Sequence, residues 1–250
     1  MADVSIVIPT KNRPDTLMRA VQSVLKQTLT NWELFIINDG NGTLEIDVND
    51  SRIHLFENAR QSGANGARNT GIFKSSGEYI AFLDDDDEWM AEKLELQYKT
   101  MTKTKATLSF TGRTIIRKAG NVNSKRFVFR DRIFSQRFSL FFHNYIGTTS
   151  SIMVNADHIK LINGFDENLN SIQDYDLYIR LSKLGKIVGI KESLLNYYMD
   201  TEQDHISINL KFYMVAAYQV WLKQKGIGFI LQPIGLLIIL FQKIFQTVRD

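Results

Sequence analysis

Four consecutive aspartates, residues 84–87, follow a mostly apolar run in the stretch YIAFLDDDDEW. Adjacent carboxylates repel one another, and the cost rises where water is scarce, as at the mouth of a cleft. A divalent cation removes that cost. Ligands that offer only oxygen suit Mg²⁺ or Mn²⁺, which take one or two carboxylates and complete their shell with phosphate oxygens and water. In an extended chain Asp84 and Asp86 point to one side and Asp85 and Asp87 to the other. One pair is then expected to face metal and phosphates, the other a ribose or the backbone. The competing reading is a solvated acidic turn that opens a helix at Trp89, where the macrodipole favours acids. The elements around the tetrad decide between the two.

Those elements alternate. Residues 4–8 (VSIVI) form a β-branched run of the kind that is buried on both faces of a sheet. Pro14 and Asp15 suit a first helical turn, and Leu17, Val21, Val24 and Leu25 mark one helix face. Residues 33–37 (ELFII) predict a second strand, stopped by NDGNG, and residues 53–56 a third. A helix follows over 63–76, then a strand over 79–83 and a helix over 89–104. The order β-α-β-β-α-β-α implies an α/β fold: an open, mostly parallel, Rossmann-like central sheet with helices on both faces. Ligands bind such sheets beyond the carboxyl ends of the strands. Residues 9–13, 38–40 and the aspartate tetrad all fall there.

Past residue 105 the pattern weakens. A strand pair is expected over 107–116, a strand over 148–154, a helix over 174–184 and a strand over 187–190. The chain turns helical from about 206. Residues 112–137 carry eight Arg or Lys against the single acid Asp131.

Composition sets outer limits. The 250 residues, 44% hydrophobic and 23% charged, suffice for one large domain with an appendage. A net charge of +3 gives no reason to expect nucleic acid as a partner. Cysteine is absent, which excludes disulfides and thiolate metal sites and suits a reducing compartment. The opening MADVSIVIPTKNR does not read as a secretory signal. The run GIGFILQPIGLLIILF, residues 226–241, is short for a membrane span. It reads either as a helix lying in a membrane interface or as a buried or dimer-forming helix.

With these motifs in hand, the chain resembles the GT-A fold nucleotide-sugar glycosyltransferases, specifically the large family 2 of inverting enzymes. Five segments carry the resemblance over roughly residues 3–200: VSIVIPTKNRPDTLMRAVQSVLKQT, WELFIINDGN, GANGARNTGI, GEYIAFLDDDDEW and GFDENLNSIQDYDLYIRLSKLG. It implies a glycosyltransferase domain over 1–205, with a nucleotide-binding half (1–104) and an acceptor-binding half (105–205). A helical C-terminal extension over 206–250 follows, with peripheral membrane contact through 226–248.

The resemblance also implies roles. Pro9, Thr10, Lys11 and Arg13 fall in the loop that touches the nucleotide. Asp39 matches the acid that accepts from the base, with Asn38 where another acid is usual. Arg68 matches an arginine near the nucleotide, or else makes an ion pair on the helix surface. Asp84 and Asp85 lie with the nucleotide, Asp85 nearest the ribose. Asp86 is the foremost metal ligand, with Asp84, and His205 is tested as a third. Asp174 matches the general base. Gln173 stands where the family often has Glu, which takes away a like charge beside the base. Asp176 is the substitute base or a support for its helix. His143 reads as core or lining, and His54 and His158 as structural.

The implied reaction moves a sugar from a UDP-sugar to a hydroxyl of a glycan or lipid-linked acceptor, with Mn²⁺ or Mg²⁺ as cofactor. Its setting is bacterial-type surface polysaccharide synthesis, in the cytoplasm or peripheral on the inner face of the membrane. The transferred group is of the hexosyl or N-acetylhexosaminyl class. A nucleotidyltransferase would want a glycine-rich loop after the first strand, which IPTKNRP lacks. A non-catalytic binding module is the other alternative, motivated by Gln173 and Asn38. Homodimerisation stays open.

Overall fold

The computed structural model describes residues 2–119, 122–130, 136–142, 144–200 and 210–224, with residues 230, 233, 234 and 237. The first strand, β1 (Val4–Thr10), is buried along its whole length. Its side chains alternate between two cores, as a strand covered on both faces requires. Val4, Ile6 and Ile8 join Leu17, Val21 and Val24 of α1 (Pro14–Leu25) on one side. Val7 joins Ala67 and Ile72 on the other.

Parallel pairing links β1 to β2 (Trp32–Asn38), β2 to β3 (Ile53–Glu57) and β1 to β4 (Tyr79–Phe82). The helix α2 (Ala64–Lys74) lies against β1 and carries no strong apolar stripe. It gets close by being small: a Cβ on Gly71 would stand 2.4 Å from Val7 Cγ1. Gly71→Ala is therefore expected to cost about 1–3 kcal/mol through overpacking, read as a lower urea midpoint with an unchanged slope.

The second half extends the same sheet. A two-residue strand, β5 (Glu88–Trp89), precedes α3 (Lys93–Thr104). The long β6 (Leu108–Ala119) and β7 (Val122–Val128) form a hairpin. After α4 (Gln136–Phe142), β8 (Ile152–Asn155) pairs antiparallel with both β4 and β6. Then follow α5 (Ala156–Leu161), α6 (Gln173–Leu181), β9 (Ile187–Asp200) and α7 (Leu210–Leu222). The strand order is β3-β2-β1-β4-β8-β6-β9-β5, with β7 beside β6. The α/β expectation holds. The parallel pairing is concentrated in the first four strands and recurs between β6 and β9, while the joins around β8 are antiparallel.

Besides the strand expected over 148–154, which begins only at Ile152 after the 3-10 helix Thr149–Ser151, three local expectations need correction. The helix expected from Trp89 starts at Lys93, because Glu88 and Trp89 pair with Asn196 and Leu195 and the Trp89 indole donates to Ser150 O at 2.9 Å. The strand pair expected within 107–116 is one long strand whose hairpin partner begins at Val122. The strand expected at 187–190 runs on to Asp200, held by β6 across a register shift near Gly112. In each case distant pairing overrides a local signal.

Candidate active site

Three strand ends converge. Beyond β1, the Thr10 hydroxyl donates to Asp85 Oδ2 at 2.7 Å, and the Arg13 guanidinium reaches Asp86 Oδ2 at 2.9 Å and Asp85 Oδ1 at 3.5 Å. Pro9 is buried and in register with Ile37 of β2. Beyond β2, Asp39 accepts hydrogen bonds from Asn58 Nδ2 (2.6 Å), Gly63 N (2.9 Å), Ser62 Oγ (3.1 Å) and Lys11 Nζ (3.4 Å). Burial alone would raise the Asp39 carboxyl. The donors outweigh it and hold the group below the usual carboxylate range. Asn38 shapes the turn that presents Asp39: its Oδ1 accepts from Gly40 N at 2.9 Å and its Nδ2 donates to Gly42 O at 2.8 Å. An amide does here what a carboxylate could not, since it both donates and accepts.

Beyond β4 the chain leaves the sheet, and Asp85 and Asp86 occupy a turn closed by Asp87 N to Asp84 O at 3.1 Å. The expected alternation of side chains along an extended strand therefore fails. Instead Asp85 and Asp86 share Arg13, while Asp84 Oδ1 meets Arg68 at 2.5 Å. Burial, then the neighbouring carboxylate charges, pushes Asp86 up. Burial likewise pushes Asp85 up, with Asp84 adding to it against Thr10 and Arg13. Asp87 is fully buried and raised well above its ordinary range, again by burial first.

Arg68 is not a surface ion pair. It is 6% exposed, and its Nε and Nη1 have no partner among the described residues. A buried guanidinium with spare donors facing an acidic turn suits an anion that arrives with its own counter-charge.

The acidic turn fits a divalent cation. It offers carboxylate oxygens whose charges are held close together against burial and repulsion. Among the described residues no closed group of three metal-ligating side chains forms. His205 lies outside the described residues, as do His143 and most of 226–248. His54 stacks beside Phe35 and His158 Nδ1 meets Thr107 Oγ1 at 3.0 Å, both structural arrangements.

Asp174 sits in the first turn of α6. Its Oδ1 accepts from Tyr175 N at 2.8 Å, and its Oδ2 is 3.5 Å from Asn144 Nδ2. Asp176 is committed elsewhere: it is buried and paired with Arg180 at 2.7 Å and Lys223 at 2.8 Å, which ties α6 to the end of α7. One turn past Asp174, the buried Tyr178 hydroxyl donates to Gly147 O at 3.3 Å. Burial first, and then Asp174, raise that phenol well above its usual range, with Arg68 and Arg113 opposing and Asp84 adding to it.

Several site residues carried no signal in the sequence. Arg19 donates to Asp86 O and lies 3.9 Å over the Tyr198 ring. Ser150 Oγ accepts from Asp84 N at 3.1 Å. Behind the turn, the fully buried Lys93 meets Gln97 at 2.5 Å and covers the Trp89 ring. Helical spacing from Trp89 reveals Gln97, four residues on from Lys93, only once α3's start is known. Ser150, in the short 3-10 helix before β8, and Tyr198, in β9, are far away in sequence, where no local spacing points to them.

Several known proteins resemble this chain. An Escherichia coli protein named UDP-Glc:alpha-D-GlcNAc-diphosphoundecaprenol beta-1,3-glucosyltransferase WfgD is 33% identical over 210 residues, covering 82% of this chain and 80% of its own. A candidate teichuronic acid biosynthesis glycosyltransferase of Bacillus subtilis (strain 168), TuaG, is 31% identical over 201 residues, 78% of each chain. Among solved structures, S. aureus TarS 1-349 in complex with UDP-GlcNAc superposes with a TM-score of 0.63 at 15% identity, over 90% of this chain and 68% of that one. That likeness establishes the GT-A fold. The profile of glycosyl transferase family 2 matches residues 5–162, more than half of the sequence, and the chain belongs to that family of glycosyltransferases.

Proposed function

We propose that this glycosyltransferase moves a hexosyl or N-acetylhexosaminyl group from a UDP-sugar to a hydroxyl of a glycan or lipid-linked saccharide, with inversion. The observation that supports the reading is the acidic turn beyond β4, where Asp84 meets Arg68 and Asp85 and Asp86 share Arg13. Support for the donor comes from TarS, solved with UDP and with UDP-GlcNAc, and from the UDP-Glc in the name of WfgD. The same name supports a lipid-diphosphate acceptor, and that of TuaG a place in surface polysaccharide synthesis.

In this mechanism Asp39, Pro9, Thr10 and Lys11 hold the nucleoside, and Asp85 lies by the ribose. Asp86 and Asp84 would hold Mn²⁺ or Mg²⁺, which supplies positive charge against a diphosphate when bound. Arg68 and Arg13 supply further positive charge from the chain itself. The acceptor hydroxyl approaches the anomeric carbon from the face opposite the leaving group. Asp174 takes its proton as the new C–O bond forms. The old C–O bond breaks, and its electron pair goes to the departing UDP. One such displacement inverts the anomeric centre.

The protein would work on the cytoplasmic face of a membrane. Phe212, Met214, Val215, Tyr218 and Leu222 of α7 are about half exposed, and Ile230, Ile234 and Leu237 are exposed as well. Among the described residues no helix is long and apolar enough to cross a bilayer, so contact would be along the interface.

The test is UDP release from UDP-Glc and UDP-GlcNAc, with Mn²⁺, on adding a GlcNAc-diphosphate-lipid acceptor. Acceptor-stimulated release with a β-linked product from an α-linked donor supports the reading. Retention of configuration, or no turnover with any UDP-sugar, would refute it.

A further inference from the structure

The basic segment 112–137 is not absorbed by the nucleotide site, yet one of its arginines, Arg113, lies against Gly147 in the loop beside Asp174. Arg113 lies on β6, where the pairing with β9 jumps: Gly112 is opposite Ser193, but Thr114 is opposite Asn196. Irregularities of this kind re-aim a side chain and cluster beside active sites. Gly112 permits the close approach, since a Cβ there would stand 2.7 Å from Lys191 O. The side chain of Arg113 then runs over Gly147, where a Cβ would come within 1.9 Å of its Nη1.

Gly147 connects that guanidinium to the base. Its backbone N donates to Asn144 Oδ1 at 3.0 Å, and Asn144 Nδ2 is 3.5 Å from Asp174 Oδ2. Its carbonyl accepts from the Tyr178 hydroxyl at 3.3 Å. Arg113 is surrounded by the Tyr197 and Tyr178 phenols, Asp87 and a second arginine, Arg130. Among the described residues no carboxylate forms an ion pair with it within 4 Å. Burial disfavours its charge, and Arg130 adds like-charge repulsion. Arg113, with the charge of Arg130 near it, offers a planar fork of donors that suits a polyanion.

Resting on the transferase reading, we infer that Arg113, with Arg130 beside it, binds a diphosphate at the Asp174 side of the cleft. Arg113 reaches the site from β6 and adds to the Arg68 and Arg13 cations at the acidic turn. Two diphosphates have this chemistry: that of the departing nucleotide and that of a lipid-linked acceptor. Arg113 is a binding group for either, and its planar fork is what a lysine would not reproduce in full.

Isothermal titration of the full chain separates the sources. The probes are UDP against uridine, with Mn²⁺ present, and GlcNAc-diphosphate on a short alkyl chain against the same GlcNAc alkyl glycoside without phosphate. Arg113→Gln is expected to weaken one diphosphate by about tenfold or more, the range of a charge-assisted hydrogen bond, and to leave its phosphate-free counterpart unchanged. Arg113→Lys should recover part of the loss. A loss confined to UDP assigns the departing nucleotide, and a loss confined to the alkyl diphosphate assigns the acceptor. Should Arg113→Gln fail to fold, Arg130→Gln and Arg113→Lys carry the same comparison. Unchanged binding of both diphosphates in these variants, with wild type binding UDP normally, would overturn the inference alone. Wild type that binds neither diphosphate would overturn the transferase reading with it.

Discussion

Asp174→Asn is expected to lower the rate of sugar transfer by about 10²–10⁴-fold while leaving UDP binding and the melting temperature close to wild type. The amide keeps the shape of the side chain and can still accept from Tyr175 N, the 2.8 Å contact that fixes the carboxylate at the head of α6. It cannot take a proton from an attacking hydroxyl. The variant therefore removes the chemistry and retains the scaffold. Asp176→Asn behaves differently. Asp176 is buried between Arg180 and Lys223, so its loss is expected to lower the melting temperature and loosen α7 from α6. If activity fell only with stability in both variants, Asp174 would have no chemical role.

The second large effect is at the acidic turn. Asp86 is the exposed member of the Asp85–Asp86 pair that shares Arg13, its side chain 43% exposed against 9% for Asp85. Asp86→Ala is expected to cut transfer by about 10²–10³-fold, the range for removing one electrostatic contact to the developing charge. Without nucleotide or cation the variant should be no less stable than wild type. Burial and the charges of Asp84 and Asp85 already disfavour the Asp86 carboxylate, so deleting it relieves repulsion, and Arg13 keeps Asp85 as partner. Loss of function without loss of stability is the signature of a residue kept for its ligand.

Much of this site was legible because it gathers at strand ends. A β-branched run, a following polar loop and a helix signal recur in the first hundred residues, and the topology rule places their loops on one edge. Asp39, Thr10, Arg13 and the tetrad follow from that logic, and the structure brings them together. What was not legible is where local and distant pairing compete. The tetrad reads as extended from its strand, yet it turns once β4 ends at Phe82. Trp89 reads as helical, yet β9 captures it. For Arg68 the sequence left a nucleotide-side role and a helix-surface ion pair both open; α2, built of small residues, sinks against β1, and Arg68 is buried. Arg113 was visible only as one charge in a basic run, since its aim depends on a register shift between strands far apart in sequence.

The acidic turn is proposed to hold a divalent cation that would supply positive charge to the donor diphosphate, so UDP binding should depend on that cation. A thermal-shift titration of UDP against the wild-type chain, in Mn²⁺ and in chelator, tests this most directly. At UDP about a hundredfold above its dissociation constant, binding adds about 2.7 kcal/mol, or about 5–10 °C in melting temperature for a chain of this size. That rise is expected with Mn²⁺, and it should vanish in chelator and in Asp86→Ala. An equal rise in chelator, or an intact rise in Asp86→Ala, would contradict it.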